Sequence, residues 1–288
     1  MQTIRNAGVT LGEIMDAQIE TRPRVAPLRG VYSAIDFGPP QAVILAAGRG
    51  SRLGPAIDER PKCLASIGGR FLIEHQLDLL AAASITRVAV VTGYDAEAVR
   101  EALGDRVTYF HNPLWANTEG LYSLHLCRNW VDGPMVVMNC DVLLEPEAMQ
   151  RLLSGGNAFA FDSTSGADAE EMAVEFDGEW LAGMSKNLPL DRTHGENVGV
   201  LHFEARAAQL LFHEIEILFK AGATKARLPS AVQRVARYIP LRGIDVADLN
   251  WIEIDFPADL TLARQRVWPA IYAKLTAAIP LLFDMDFA

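Results

Sequence analysis

A glycine-rich, basic loop follows the most apolar stretch of the sequence. Residues 43–54 read VILAAGRGSRLG, in which three glycines are separated by two arginines and a serine. Glycines allow backbone N–H groups to approach phosphate oxygens, because no side chain obstructs the approach. The segment lacks the Gly-Lys-Ser/Thr of a Walker A loop, and its third glycine stands one place late for the dinucleotide motif GxGxxG. It therefore predicts either a phosphate site or a tight turn between a strand and a helix.

Charged residues farther along the chain could complete such a site. Lys62 follows the loop closely and could reach the same phosphates, although the short, irregular segment 53–60 leaves that reach open. Asp141 closes the apolar run VVMNCD, and Glu253 and Asp255 lie in the run WIEID. Carboxylates at the ends of different strands could share Mg²⁺, which prefers one or two carboxylates together with phosphate oxygens and water. Each aspartate could instead cap the helix that follows it.

Alternating strands and helices are predicted to position these residues. Apolar runs favour strands at 42–47, 87–93, 106–110 and 134–141, and amphipathic segments favour helices at 71–83, 95–103, 121–130 and 146–153. Such alternation is typical of a parallel sheet covered on both faces. Beyond residue 155, AFAFDS, MAVEFDGEWLAGMSK and NVGVLHFE favour antiparallel strands, with a hairpin turn at Asp177-Gly178. The predicted fold class is α/β, a Rossmann-like mixed sheet, mainly parallel, with helices on both faces and a small antiparallel insertion.

Composition excludes several classes of protein. The chain has 288 residues and a formal charge of −10, so it offers no general basic surface for a nucleic-acid backbone. No apolar run approaches the roughly 20 residues needed to cross a bilayer, and the N-terminus lacks a secretory signal. Three scattered cysteines, Cys63, Cys127 and Cys140, form no CxxC motif. They are expected to be small core residues of a reduced, cytoplasmic protein.

The order of the motifs resembles the NTP-transferase family. LAAGRGSRLG with RPKCL, then VVTGY, then NCD, then EIDFPADLTLAR, is similar to the GT-A-like nucleotidyltransferases that activate sugar 1-phosphates, phosphocholine and phosphonates. The similarity runs from about residue 41 to 266. NTEGLYSL and MSKNLP…GENVGVLHF resemble the phosphocholine and phosphonate cytidylyltransferase branch more than the sugar enzymes. Cys140 departs from the small or acidic residue more usual at its position.

The resemblance implies a role for each matching residue. Arg52, Lys62 and Lys186 would be catalytic, and Asp141 and Asp255 would hold Mg²⁺. The nucleotide would contact Leu45, Ala46, Ala47, Gly48, Gly50, Ser51, Arg52, Lys62, Gly93, Asn117, Tyr122, Ser123 and Asn139. The acceptor would contact Tyr122, Lys186, Glu196 and Glu253, with Tyr122, Trp115 and Trp180 as an aromatic face for an ammonium group. Lys186 could instead be a hairpin-end lysine and Glu196 a solvated loop residue.

The resemblance also divides the chain. Residues 1–40 would be an N-terminal extension and 41–288 the nucleotidyltransferase domain. Within that domain, 41–154 would bind the nucleotide, 155–250 would be an acceptor-binding insertion, and 251–288 would supply the last strand and the C-terminal helix. The apolar end AAIPLLFDMDFA would pack either on its own core or on a second subunit in a homodimer.

The expected reaction is CTP-dependent transfer of CMP to a small phosphonate or phospho-amino-alcohol, of the 2-aminoethylphosphonate or phosphocholine type, with release of pyrophosphate. One alternative is a sugar-1-phosphate nucleotidyltransferase that uses UTP, dTTP or GTP. Another, of a different class, is a non-catalytic nucleotide-binding regulatory module. An NAD-dependent dehydrogenase fits poorly, because VVTGYD places its acidic residue, Asp95, beyond a glycine rather than at the strand end.

Overall fold

A computed structural model describes residues 38–165 and 172–277 of the chain. The predicted N-terminal extension, up to residue 37, and the apolar end from residue 278 lie outside the described residues. The strands are β1 (Gln41–Ala46), β2 (Ser66–Ile67), β3 (Arg70–Phe71), β4 (Val88–Thr92), β5 (Thr108–His111), β6 (Met135–Asn139), β7 (Val142–Leu144), β8 (Ala158–Asp162), β9 (Ala173–Asp177), β10 (Trp180–Ser185), β11 (Gly195–Phe203), β12 (Arg242–Asp245) and β13 (Trp251–Glu253).

Helices alternate with these strands. They are α1 (Leu72–Ala82), α2 (Ala96–Leu103), α3 (Gly120–His125), α4 (Pro146–Ser154), α5 (Ala205–Lys220), α6 (Leu228–Ala236), α7 (Pro257–Leu262) and α8 (Trp268–Ala277). A π-helical segment, Ala263–Val267, joins α7 to α8, and short 3₁₀ turns cover Gly54–Ile57, Lys62–Leu64, Gly104–Arg106 and Leu190–Arg192. Among the described residues, no helix is both long enough and apolar enough to cross a membrane.

The main sheet is mixed. Among the described residues it has nine strands in the order β5-β4-β1-β6-β11-β8-β12-β10-β9. The strands from β5 to β6 are parallel, whereas β11 pairs antiparallel with both β6 and β8. The parallel β8–β12 pair lies within the second half, which is otherwise antiparallel. The predicted mainly parallel sheet therefore describes the first half of the domain, and the antiparallel share is larger than expected.

Helices cover both faces of the sheet, as the apolar pattern predicted. Along β1, Ala42, Ile44 and Ala46 belong to one buried cluster, which includes residues of α1, α2 and α4. Val43 points to the opposite face and joins a second cluster with residues of α3, α5 and α6. This alternation follows from the two-residue period of a strand, and continuous apolar sequence is what a strand needs when both faces are covered.

The antiparallel half closes on itself. Strand β9 pairs with β10 and also with β11, so β11, β8, β12, β10 and β9 form a ring. The hairpin turn predicted at Asp177-Gly178 joins β9 to β10, and Gly178 has the positive φ of +63° that such a turn requires. A Cβ on Gly243 of β12 would lie 2.3 Å from the Phe176 ring, so a larger residue here would force that ring to move.

A short ladder outside the main sheet was not anticipated. Strand β13 pairs antiparallel with β7, with Glu253 opposite Val142 and Trp251 opposite Leu144. The strand that carries Glu253 and precedes Asp255 therefore lies outside the main sheet. A third apolar cluster supports the ladder; it includes Leu143, Ile254 and residues of α7 and the π-helical segment. The ladder fixes the spacing between the acidic residues that flank it.

Candidate active site

Two cations and two aspartates meet where the glycine loop leaves β1. The Lys62 ammonium lies 2.8 Å from Asp141 Oδ2 and also contacts Asp255 Oδ1. Arg52 Nη1 lies 3.1 Å from Asp255 Oδ2, with its guanidinium 5.2 Å from the centre of the Phe256 ring. Lys62 is 8% exposed, so its charge is largely removed from water and needs these partners. Arg52, Lys62, Asp141 and Asp255, which were predicted to be catalytic or metal-binding, thus form one cluster.

The glycine loop fits closely around the Lys62 backbone. Gly50 has a φ of +68°, and a Cβ at this position would lie 2.6 Å from Lys62 Cβ. Lys62 itself begins a 3₁₀ turn directly after Pro61. The loop is held from outside, because Arg49 forms a 2.9 Å ion pair with Glu59. The close approach explains why this loop needs glycine for packing as well as for phosphate access.

The two aspartates are brought together by the β7–β13 ladder. Asp141 directly precedes β7, and Asp255 follows β13 by two residues, so the antiparallel pairing places them at the same end. The Ile254 N–H donates to the Asp141 carbonyl at 3.0 Å and extends this ladder toward the cluster. The buried Gln76 amide, on α1, donates to the carbonyls of Asn139 and Val142 at 2.9 and 2.8 Å. Gln76 thereby spans the turn that carries Asp141.

Neither aspartate serves as a helix cap. The N–H groups of Asp255 and Phe256 donate to Asp259 Oδ2 at 3.0 and 2.7 Å, so Asp259 caps α7. Helix α4 begins after Glu145, four residues beyond Asp141. The carboxylates of Asp141 and Asp255 are therefore directed into the cluster, and the capping alternative for both residues is wrong.

Charge is concentrated in this cluster. Burial alone would lower the pKa of Lys62, but the carboxylates of Asp141 and Asp255 raise it above its ordinary value. The side chain of Glu253 also lies here; burial, followed by the negative charges of Asp141 and Asp255, raises its pKa to about 8. The negative charge of Glu196 also raises the pKa of Glu253, by less than Asp141 and Asp255 do. The site is thus an acidic centre that two basic side chains neutralise in part.

The acidic centre fits a divalent cation. Asp141, Glu253 and Asp255 each offer a carboxylate oxygen within 4.8 Å of the others, and all three residues are partly buried. Asp141 Oδ1 is buried and has no hydrogen-bond partner among the described residues. Hard carboxylate oxygens at this spacing suit Mg²⁺. Glu253, expected at the acceptor, lies beside both predicted metal ligands.

Residues predicted to contact the nucleotide line the carboxyl ends of β1, β4 and β6. Leu45 and Ala46 end β1, and the Ala47 carbonyl that follows accepts from the Tyr94 N–H at 3.0 Å. A Cβ on Gly93 would lie 2.6 Å from that same carbonyl, so the loops after β1 and β4 touch here. Gly48 and Ser51 are exposed on the glycine loop, and Asn139 pairs with Leu45 at the end of β6.

The remaining predicted nucleotide residues lie around α3. Asn117 is exposed, in the loop before the helix. Ser123 is 3% exposed and accepts a 3.0 Å hydrogen bond from Asn112, so in this conformation its hydroxyl supports the loop. The Tyr122 ring packs against Phe219 of α5, with the ring centres 5.9 Å apart and the ring planes tilted by 44°. Of the other two residues expected in the aromatic face, Trp115 packs edge-on against Tyr94 and Trp180 packs against the Arg242 guanidinium.

The two predicted acceptor residues of the insertion lie at one end of β9. Ala173, the first residue of β9, is flanked by Ser185 of β10 on one side and by Glu196 of β11 on the other. Lys186 follows Ser185 directly and is partly buried. Glu196 is 9% exposed and accepts a 2.7 Å hydrogen bond from Ser165, so it is not the solvated loop residue of the alternative reading.

Other buried polar and thiol groups complete the surroundings. The three cysteines are free and buried, as predicted. The hydrogen bond with the Cys63 thiol, followed by burial, raises the pKa of the Cys140 thiol, so Cys140 stays protonated beside Asp141. Gln76 was missed at the level of sequence. An amide within an amphipathic helix carried no signal of its own, although its position on the buried face of α1 was a clue.

Comparison with known proteins points to a nucleotidyltransferase. The profile of the MobA-like NTP transferase domain matches residues 42–223. CMP-5'-(3-aminopropyl)phosphonate synthase from Streptomyces rubellomurinus is 30% identical over 256 residues, which is 83% of this chain and 40% of that protein. CTP:phosphoglutamine cytidylyltransferase from Campylobacter jejuni is 23% identical over 265 residues, covering 78% of this chain and 99% of that protein. The chain thus spans less than half the length of the Streptomyces relative.

A solved structure shares the fold. The inositol-1-phosphate CTP transferase from T. maritima superimposes with a TM-score of 0.64 at 19% identity, covering 79% of this chain and 97% of that chain. At this identity the likeness concerns the fold.

Proposed function

This chain belongs to the family of MobA-like NTP transferase domains, and we propose that it transfers CMP from CTP to a small acceptor that bears a phosphonate or phosphate group. The observation that carries the proposal is the convergence of Arg52 and Lys62 with Asp141 and Asp255 beside the glycine loop. Such a centre suits a triphosphate, which needs both cationic side chains and a metal ion.

The reaction depends on the positioning of the substrates more than on proton transfer. An anionic oxygen of the acceptor attacks the α-phosphorus of CTP, the bond to the β-phosphate oxygen breaks, and pyrophosphate leaves. The nucleophile is already charged, so no strong general base is needed. The barrier lies in bringing two anions together and in stabilising charge on the phosphoryl oxygens, which preorganised cationic groups achieve.

Each side chain of the cluster has a place in this scheme. Arg52 and Lys62 would bind the triphosphate and neutralise the departing pyrophosphate. The backbone N–H groups of the loop around Gly48 and Gly50 would lie along the phosphates. Asp141 and Asp255, with Glu253 beside them, would hold Mg²⁺, which when bound supplies positive charge to the phosphate oxygens.

The acceptor is proposed to be zwitterionic. Lys186, at the end of β10, would bind its phosphonate or phosphate group. Glu196 adds negative charge nearby, since it contributes to the raised pKa of Glu253. One cationic residue and one carboxylate match an acceptor with one anionic and one ammonium group better than they match a neutral sugar ring. The similarity to a CMP-5'-(3-aminopropyl)phosphonate synthase and to a CTP:phosphoglutamine cytidylyltransferase supports the same class.

Pyrophosphate release tests the proposal. The wild-type protein with Mg²⁺ is offered CTP, UTP, GTP, ATP or dTTP against phosphocholine, 2-aminoethylphosphonate, 3-aminopropylphosphonate and sugar 1-phosphates. We expect release with CTP and an amino-bearing acceptor, and a loss on the order of 10²–10³ in rate for Asp141→Asn. Asp132→Asn is the matched control, because Asp132 pairs with Arg87 at the opposite end of β6.

Three results would contradict the proposal or a part of it. Release with UTP, dTTP or GTP and a sugar 1-phosphate alone would retain the chemistry but assign the sugar-nucleotide alternative. Binding of nucleotides without release against any acceptor of the panel would favour the non-catalytic module. Activity of Asp141→Asn equal to that of Asp132→Asn would refute the role given to Asp141.

A further inference from the structure

The cations of the cluster occupy the carboxylate oxygens that a metal ion would use. Lys62 contacts Asp141 Oδ2 and Asp255 Oδ1, and Arg52 contacts Asp255 Oδ2. Of the four oxygens of these two aspartates, Asp141 Oδ1 has no partner within the described part of the chain. The residues assigned to the triphosphate are thus bound to the residues assigned to the metal.

The two cationic groups can leave without a change of fold. The backbone of Lys62 is fixed by Pro61, by the 3₁₀ turn and by the packing of Gly50 against its Cβ. Beyond Cβ, the side chain is a flexible stem with a rotatable ammonium. The Arg52 side chain is 46% exposed and leaves still more easily. Both can therefore turn from the carboxylates to a neighbouring anion while the loop stays in place.

We propose that Lys62 and Arg52 keep the metal site closed in the free protein, and that a bound triphosphate opens it by drawing both side chains onto its phosphates. The inference rests on the proposed function, because it takes a nucleoside triphosphate as the anion that competes for the two cations. Metal and nucleotide would then bind as coupled ligands, each raising the affinity for the other.

Electrostatics gives the direction of this coupling. Without nucleotide, a divalent cation must either displace the Lys62 ammonium from two carboxylates or sit beside it as a like charge. A bound triphosphate frees the carboxylates for the metal ion, because its negative charges provide Lys62 and Arg52 with other partners. Free metal should therefore bind the wild-type protein weakly, although three carboxylates are assembled for it.

The test measures binding of Mn²⁺ in the absence of nucleotide and acceptor, with unbound Mn²⁺ counted by electron paramagnetic resonance. Lys62→Met should bind Mn²⁺ on the order of tenfold or more tighter than wild type. Lys225→Met, which removes an exposed lysine from the loop after α5, is the matched control and should bind as wild type does. The double variant Lys62→Met with Asp141→Asn should lose the gain.

A second variant covers the case that Lys62→Met misfolds, because this substitution leaves the partly buried carboxylates without their nearest positive charge. Arg52→Met removes a more exposed cation and should raise the affinity for Mn²⁺ by about two- to fivefold. Millimolar Mn²⁺ should also raise the melting temperature of Lys62→Met more than that of wild type, because the metal replaces the missing charge.

Equal Mn²⁺ affinity in wild type and Lys62→Met would overturn the proposal, as would a gain that survives Asp141→Asn. Equal affinity in wild type and Arg52→Met would overturn the part assigned to Arg52. These measurements need no turnover. A failure of the proposed function, seen as absence of pyrophosphate release, is therefore separate from a failure of the closed site.

Discussion

Replacement of Gln76 by leucine should loosen the turn that carries Asp141. The side chain is 2% exposed, and its amide donates to two carbonyls on either side of Asp141. Gln76→Leu keeps the volume and the apolar face of α1 but leaves both carbonyls without this donor. Each buried unsatisfied group costs about 1–3 kcal/mol. Gln76 Oε1 has no partner in the described part, so its removal offsets some of that loss.

We therefore expect Gln76→Leu to lower the free energy of unfolding by about 1–3 kcal/mol. The larger effect should fall on the metal site, because groups that orient ligands typically change metal affinity or activity by about 10–100-fold. Urea unfolding gives the first quantity. The second comes from the dependence of pyrophosphate release on Mg²⁺ concentration, at a temperature where the variant is fully folded.

The control is Leu79→Ala, on the same helix. Leu79 is 6% exposed, and its truncation should destabilise by about 2–5 kcal/mol through a cavity. It belongs to the apolar cluster and makes no hydrogen bond to the turn. The Mg²⁺ dependence of pyrophosphate release by Leu79→Ala should be the same as that of wild type. An unchanged Mg²⁺ dependence in Gln76→Leu, or an equal shift in both variants, would refute the positioning role.

Three further predictions concern the cluster itself. Gly50→Ala should lose stability and activity, because its Cβ would lie 2.6 Å from Lys62 Cβ. Gly104→Ala is the control for backbone strain, since Gly104 also has a positive φ but a Cβ there would meet open space. Equal unfolding midpoints of the two variants would contradict the predicted clash at Gly50. Asp255→Asn should lower turnover on the order of 10²–10³, and a rate within tenfold of wild type would exclude this role. A raised pKa favours the protonated acid in the folded state. The apo protein should therefore lose unfolding free energy as the pH rises from about 4.5 to about 8, and Glu253→Gln should flatten that slope in urea titrations across this range.

The fold was largely predictable from local patterns. Continuous apolar runs predicted strands buried on both faces, and the structure confirms helices on both sides of the first half of the sheet. Ladder β7–β13 was not predictable in this way. Its strands have three residues each and lie far apart in sequence, so neither carries a periodicity strong enough to reveal a partner.

The sequence by itself determined the family and the types of residue that could do chemistry. The glycine loop, Lys62, Asp141 and Asp255 were all identified from motifs, and the family match confirms the resemblance on which their predicted roles depend. Tertiary structure decided which of them meet. Lys62 binds aspartates 79 and 193 residues away, a pairing that depends on how the loop, the ladder and α1 pack together. The sequence specifies which residues are charged, but packing sets the distances between them. Those distances decide whether a lysine contacts a phosphate or occupies a metal site.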